Sequence, residues 1–105
     1  MIVDFDAMFT RLVLEELITQ AALPFNDETK DLKKGDVCEI SFAGLIFKDY
    51  RLLVTNVTVT GLDKLSNLDL FKQGFMYKPF YYDFMKRKGF MEDDTILKVD
   101  FQIVG

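Results

Sequence analysis

Apolar residues recur at two different periods along this chain. At residues 5–20 they fall at Phe5, Met8, Phe9, Leu12, Val13, Leu17 and Ile18. That three-to-four spacing predicts an amphipathic helix with Thr10, Arg11, Glu15 and Glu16 outward and Asp4 or Asp6 at its start. Residues 21–34 then read as a loop, because Pro24 turns Leu23 away from helix and residues 26–31 are polar and turn-rich. After the Lys34-Gly35-Asp36 turn the period becomes two. Cys38, Ile40 and Phe42 alternate with Val37, Glu39 and Ser41, the pattern of a half-buried strand. Ala43-Gly44 predicts a hairpin into Leu45-Ile46-Phe47. Lys48-Asp49 interrupts, and residues 51–60 resume as a Val-, Leu- and Thr-rich strand ended by Gly61.

Two short helices and a strand follow. Ser66-Asn67-Leu68-Asp69 has the form of a capping box with Asp in place of Glu, opening a helix that Gly74 stops. Pro79 suits the first turn of a second helix and Gly89 its exit, with Phe80, Phe84 and Met85 as the expected buried stripe. In residues 95–104, Leu97, Val99, Phe101 and Ile103 share one face, with Lys98, Asp100 and Gln102 on the other. One long helix, mostly antiparallel strand signals and two small helices predict an α+β fold. Its expected form is a small, curled, mostly antiparallel sheet approaching a β-barrel, with helices packed on it.

Composition sets bounds on this picture. At 105 residues and 50% hydrophobic, with eleven Phe, the chain is read as a single domain, 1–105, able to bury a modest core. No apolar run reaches the roughly 20 residues of a membrane span. The acidic start and the single Cys38 lead us to expect a cytoplasmic protein. There is no His, which removes the commonest general base and most transition-metal sites. The six glycines are scattered and form no phosphate loop. We therefore expect no metal and no cofactor. Glu92, Asp93 and Asp94 could hold a divalent cation but read better as a solvated turn, as do Asp27, Glu28 and Asp31. Cys38, on the apolar face of its strand, reads as a small buried hydrophobe.

Several segments together resemble the ASCH domain, the compact relative of the PUA RNA-binding barrel. They are the leading helix, "KKGDVCEI" at 33–40, "VTNVTVTGLDKLSNLD" at 54–69, "GFMYKPFYYDFMKRKG" at 74–89 and "ILKVDFQIV" at 96–104. The resemblance implies a PUA-like barrel with a cleft between barrel and helices. Many ASCH proteins carry a Gly-x-Lys signature after the first helix, and in some small members its Lys and Thr act in hydrolysis of a modified nucleoside. The corresponding stretch here, residues 18–25, has neither Gly nor Lys. No catalytic residue carries over. What remains is an expected cleft lined by Thr19, Gln20, Asn26 and Asp27.

Charge supplies the positive candidate. The chain has net charge −4, yet residues 72–88 hold Lys72, Lys78, Lys86, Arg87 and Lys88 against Asp83 alone. The same window contains Tyr77, Tyr81 and Tyr82. Cations interleaved with aromatics suit single-stranded nucleic acid, cations for phosphates and rings for bases. We expect Lys72, Lys78 and Arg87 to meet phosphates and Tyr77, Tyr81 or Tyr82 to stack a base, the ligand being RNA, single-stranded nucleic acid or a nucleotide. Two other readings stand beside this one: a small acidic protein that binds or inhibits another protein, and a nucleoside-directed amidohydrolase.

Overall fold

The computed structural model describes residues 1–105. Its elements in chain order are β1 (Ile2–Phe5), a 3₁₀ turn (Ala7–Phe9), α1 (Thr10–Leu14), β2 (Gln20–Pro24), β3 (Val37–Phe42) and β4 (Leu45–Gly61). A second 3₁₀ turn (Leu62–Lys64), α2 (Asn67–Lys72), α3 (Lys78–Arg87) and β5 (Thr95–Val104) follow. The strands form one sheet in the order β1-β3-β4-β5-β2. β1 runs parallel to β3 and every other pair is antiparallel. The result is an α+β fold with a curled, mixed five-stranded half-barrel and three short helices. No helix is long and apolar enough to cross a membrane.

The long N-terminal helix expected over residues 5–20 does not form. Ile2–Phe5 pair instead with Glu39–Phe42 as an edge strand, which takes Phe5 out of any helix. Asp4 is not a helix cap: its Oδ1 accepts from the Ser41 hydroxyl and the Gly44 N–H. Asp6 makes no side-chain cap bond either. α1 keeps only five residues. It ends where Glu16 enters the left-handed region at φ 59°, and the Glu16 carboxylate accepts from the Ile103 N–H. Phe101 N–H then donates to the Thr19 carbonyl, and the chain enters the sheet as β2, inside the expected loop. Sheet hydrogen bonds and burial won over a helical period that they also satisfy. Val13 and Ile18 reach the core, while Met8 and Leu17 stay exposed.

The later elements follow their patterns more closely. Ala43 and Gly44, at φ 49° and 83°, make the two-residue turn of the β3–β4 hairpin. Lys48-Asp49 does not end the strand. Arg51 faces Glu39 and Phe47 faces Ile40, so residues 48–50 are extra and bulge from β4.

Two cores lie on opposite faces of β5. Leu97, Val99 and Phe101 point into the barrel with Cys38, Ile40, Phe5 and Val54, and Ile103 packs at its margin. On the outer face, Ile96 packs with Leu62, Leu65, Leu70, Tyr81 and Met85 under α2 and α3. α3 is therefore rotated from the expected stripe. Tyr81 and Met85, one turn apart, face inward, Phe84 is half-buried and Phe80 is exposed.

Candidate nucleic-acid interface

α2 and α3 present the candidate surface, and local sequence sets each helix start. At α2 the capping box forms: Asp69 N–H donates to Ser66 Oγ at 3.1 Å, and Ser66 N–H donates to Asp69 Oδ2 at 2.9 Å. α3 begins at Lys78 with Pro79 in its first turn and no side-chain cap. Gly74 turns the chain between them at φ 94°, and a Cβ there would lie 3.0 Å from Ile18 Cδ1. The Lys72 carbonyl accepts from Thr19 N–H at 2.9 Å, which ties α2 to the start of β2.

On the outside of this turn, Tyr77 and Phe80 are 61% and 66% exposed. Their rings meet edge to face at 5.9 Å. Lys72 ends α2 and Lys78 begins α3, and neither joins an ion pair. Two cations outside any ion pair thus share the α2–α3 segment with a pair of exposed rings, Lys78 standing between Tyr77 and Phe80 in the sequence. Leu68, Phe71 and Met76 are also exposed on the same two elements and their connection.

The other predicted residues separate from this group. Tyr81 cannot stack a base: it is fully buried, and its hydroxyl donates to Gln73 Oε1 at 2.8 Å. Burial pushes its phenol far above the ordinary value, partly offset by that hydrogen bond, so it stays a neutral donor. Tyr82 is half-buried against the outer core, its hydroxyl directed at the Leu62 carbonyl. Burial, then Glu92 and Asp63, raise its phenol. Arg87, at the far end of α3, is paired with Asp83 at 3.2 Å. Roughly 13 Å of helix separates it from Lys78. Phe80 was missed because its spacing from Phe84 suggested a buried stripe. Its exposure depends on which way α3 faces.

The expected cleft set divides in the same way. Thr19 and Gln20 do meet α2. Asn26 and Asp27 lie in a separate turn, where Asn26 Oδ1 accepts from the Glu28 and Thr29 N–H groups and Asp27 pairs with Lys30.

Beneath the helices lies a polar network that periodicity did not reveal. Tyr81 donates to Gln73, and Gln73 Nε2 donates to Gln20 Oε1 at 2.9 Å. Gln20 Nε2 donates to Asp69 Oδ1 at 3.2 Å and Asp100 Oδ1 at 2.9 Å. Lys98 Nζ also reaches Asp69 Oδ1, at 3.2 Å. Burial pushes the Asp69 carboxyl upward, but hydrogen bonds from the Ser66 backbone, Gln20 and Lys98 outweigh it and hold the group at about 2. Because its folded value lies below its ordinary 3.8, this carboxylate stabilises the fold by about 2 kcal/mol above pH 4. That contribution is lost as pH falls from about 4 to about 2. Asp69→Asn should therefore lower the urea midpoint at pH 7, and its deficit should shrink at pH 2–3. A deficit independent of pH would contradict the assignment.

A cavity of about 70 Å³ adjoins Gln20 and Gln73, walled by Phe9, Phe75, Phe84 and Phe90. Ligand pockets usually span about 300–1,000 Å³, so it is too small to enclose a nucleotide. Lys88 lies at its margin, 3.4 Å from Asp6 and 5.2 Å from the Phe84 ring centre. Nowhere do three or more His, Cys, Asp or Glu side chains gather as a metal site would require. In the 91–94 turn, Asp94 accepts from the Met91 N–H. Cys38 is buried in the barrel core, and burial raises its thiol.

Comparison with solved structures identifies the architecture. Protein EF3133 from Enterococcus faecalis V583, a DUF984 protein, superposes with a TM-score of 0.69 at 19% identity over 90% of this chain and 68% of its own. An ASCH domain from Lactobacillus crispatus JV V101 gives 0.70 at 13% identity over 89% and 68% of the two chains. Hypothetical protein PH0355 gives 0.67 at 11% identity over 99% and 100%. The fold is ASCH-like. No protein-family model matches the chain, and no curated protein sequence matches it.

Proposed function

We propose that this chain is a binding module for RNA or other single-stranded nucleic acid. Unpaired bases stack on Tyr77 and Phe80, and Lys72 and Lys78 hold the flanking phosphates. The observation that carries this reading is the exposed Tyr77–Phe80 pair on the same α2–α3 segment as two cations free of ion pairs. Stacking on such rings is worth about 1–3 kcal/mol per base. The acidic balance of the rest of the chain disfavours indiscriminate duplex binding, since phosphate contacts dominate that affinity. The cavity under the helices is itself too small to enclose a nucleotide, whereas the exposed rings are open to a base from solvent. Hydrolysis is the weakest reading, because residues 18–25 hold neither the Gly nor the Lys of the signature that carries it in the family the chain resembles. A protein-docking role has one observation in its favour, the exposed Leu68, Phe71 and Met76 beside the proposed site.

The test is titration of single-stranded RNA, single-stranded DNA and duplex oligonucleotides by fluorescence anisotropy at two salt concentrations. Single strands should bind and duplex should bind more weakly. Lys72→Ala with Lys78→Ala should flatten the slope of log K against log salt by about 1.4, the release expected for two single-strand phosphate contacts. Absence of single-strand binding at low salt overturns the proposal and puts protein docking first.

A further inference from the structure

We infer that the hydrogen-bonded series Tyr81–Gln73–Gln20 is a positioning device: it holds α3 against α2 in the orientation that makes the Tyr77–Phe80 surface. The inference rests on the binding role proposed above and assigns a task to residues that touch no ligand.

The series has a single polarity. Asp69 and Asp100 are carboxylates and only accept, so Gln20 must turn its Nε2 toward both. Its Oε1 then faces Gln73 and needs a donor, which orients Gln73 Nε2 toward it. Gln73 Oε1 is left as the acceptor for the Tyr81 hydroxyl. Turning either carboxamide around would set oxygen against oxygen. The direction is thus imposed from the sheet, through β2 and α2, onto α3. No buried side-chain nitrogen or oxygen lacks a partner, so the series carries no slack.

The geometry of α3 shows why this matters for binding. Tyr81 lies one residue after Phe80 and one turn after Tyr77, and it faces inward where they face outward. The other inward anchor, Met85, makes only apolar contacts. Apolar packing holds a helix down without selecting its rotation sharply, because the hydrophobic effect is not directional. The Tyr81 hydroxyl meets one acceptor at one distance. A small rotation of α3 about its axis would swing Tyr77 and Phe80 relative to Lys72 on α2.

Two variants of the full chain test this. Tyr81→Phe keeps the ring and removes the hydroxyl. It should speed hydrogen exchange of the α3 amides relative to those of β3 and β5. It should also weaken binding to an oligouridine roughly three- to tenfold, the value of one hydrogen bond, with no change in salt slope. Gln73→Glu adds a pH readout. As carboxylate, the new group still accepts from Tyr81 but has no donor for Gln20. Protonated, it reproduces both bonds. The titratable and charged groups around it are Asp69 on α2, Asp100 and Lys98 on β5, Tyr81 on α3, and Asp4, Asp6 and Lys88, which line the same cavity. Burial and the carboxylates raise its pKa, and the two lysines offset this in part. Binding by Gln73→Glu should therefore improve as pH falls from 8 to 5 relative to wild type at each pH. A purely structural role would shift stability without a pH-dependent affinity gap.

Unchanged α3 exchange in Tyr81→Phe overturns the inference by itself, with no ligand involved. Faster exchange with unaltered affinity overturns the link to binding. If wild type binds no oligouridine, the functional proposal fails, and the exchange measurement still decides whether the series positions α3.

Discussion

Replacing Phe101 by Ala is expected to destabilise the fold by about 3–5 kcal/mol, the range for removing a buried Phe ring. Phe101 is 4% exposed. It stands opposite Val54 on β4, and its ring centre lies 5.7 Å from that of Phe5 on β1. It therefore bridges β5 to the edge strand across the barrel interior. Truncation would leave a void that β-sheet neighbours, held by their ladders, can close only in part. A domain of this size has roughly 5–15 kcal/mol in total, so the variant should be partly unfolded at 37 °C. Urea denaturation followed by circular dichroism measures the loss. Phe80→Ala supplies the contrast, since an exposed ring should change stability by less than about 0.5 kcal/mol. A Phe101→Ala cost below 1 kcal/mol would mean that the barrel core is not packed as described.

The second large effect is on binding. Tyr77→Ala with Phe80→Ala should lower affinity for single-stranded RNA by about 30-fold or more, following from about 1–3 kcal/mol for each of two stacked bases. Its salt slope should match wild type, because removing a ring releases no counterions. The cation double variant should show the opposite signature, a flatter slope. Both rings are mostly exposed, so the melting temperature should hardly move, and lost affinity cannot be ascribed to unfolding. If the ring variant binds as tightly as wild type at both salts, the bases do not stack there and the α2–α3 surface loses its assigned role.

Much of the fold was legible because many residues obey one local rule. The alternation in β5, the Ala43-Gly44 turn and the Ser66–Asp69 capping box each encode their geometry within a few residues. Residues 5–20 misled because their period suits a helix while their partners lie far away. Phe5 answers to Phe42, Glu16 to Ile103, and Thr19 to Phe101 and Lys72. Of the predicted site, Tyr77, Lys72 and Lys78 remain candidates, whereas Tyr81 became a buried anchor. Cations and aromatics in one window say nothing about which way a helix turns.

The sequence by itself determined the α+β class, the positions of β3, α2, α3 and β5, and the concentration of positive charge and aromatic rings at 72–88. Each is a property of short stretches, decided by periodicity, capping and composition. Only the tertiary structure decided that the N-terminal segment is sheet, that Phe80 is exposed while Tyr81 is buried, and that Gln20, Gln73 and Asp69 meet. Those outcomes depend on pairings across as many as 87 residues. There, burial and hydrogen-bond satisfaction among distant groups outweigh local preference.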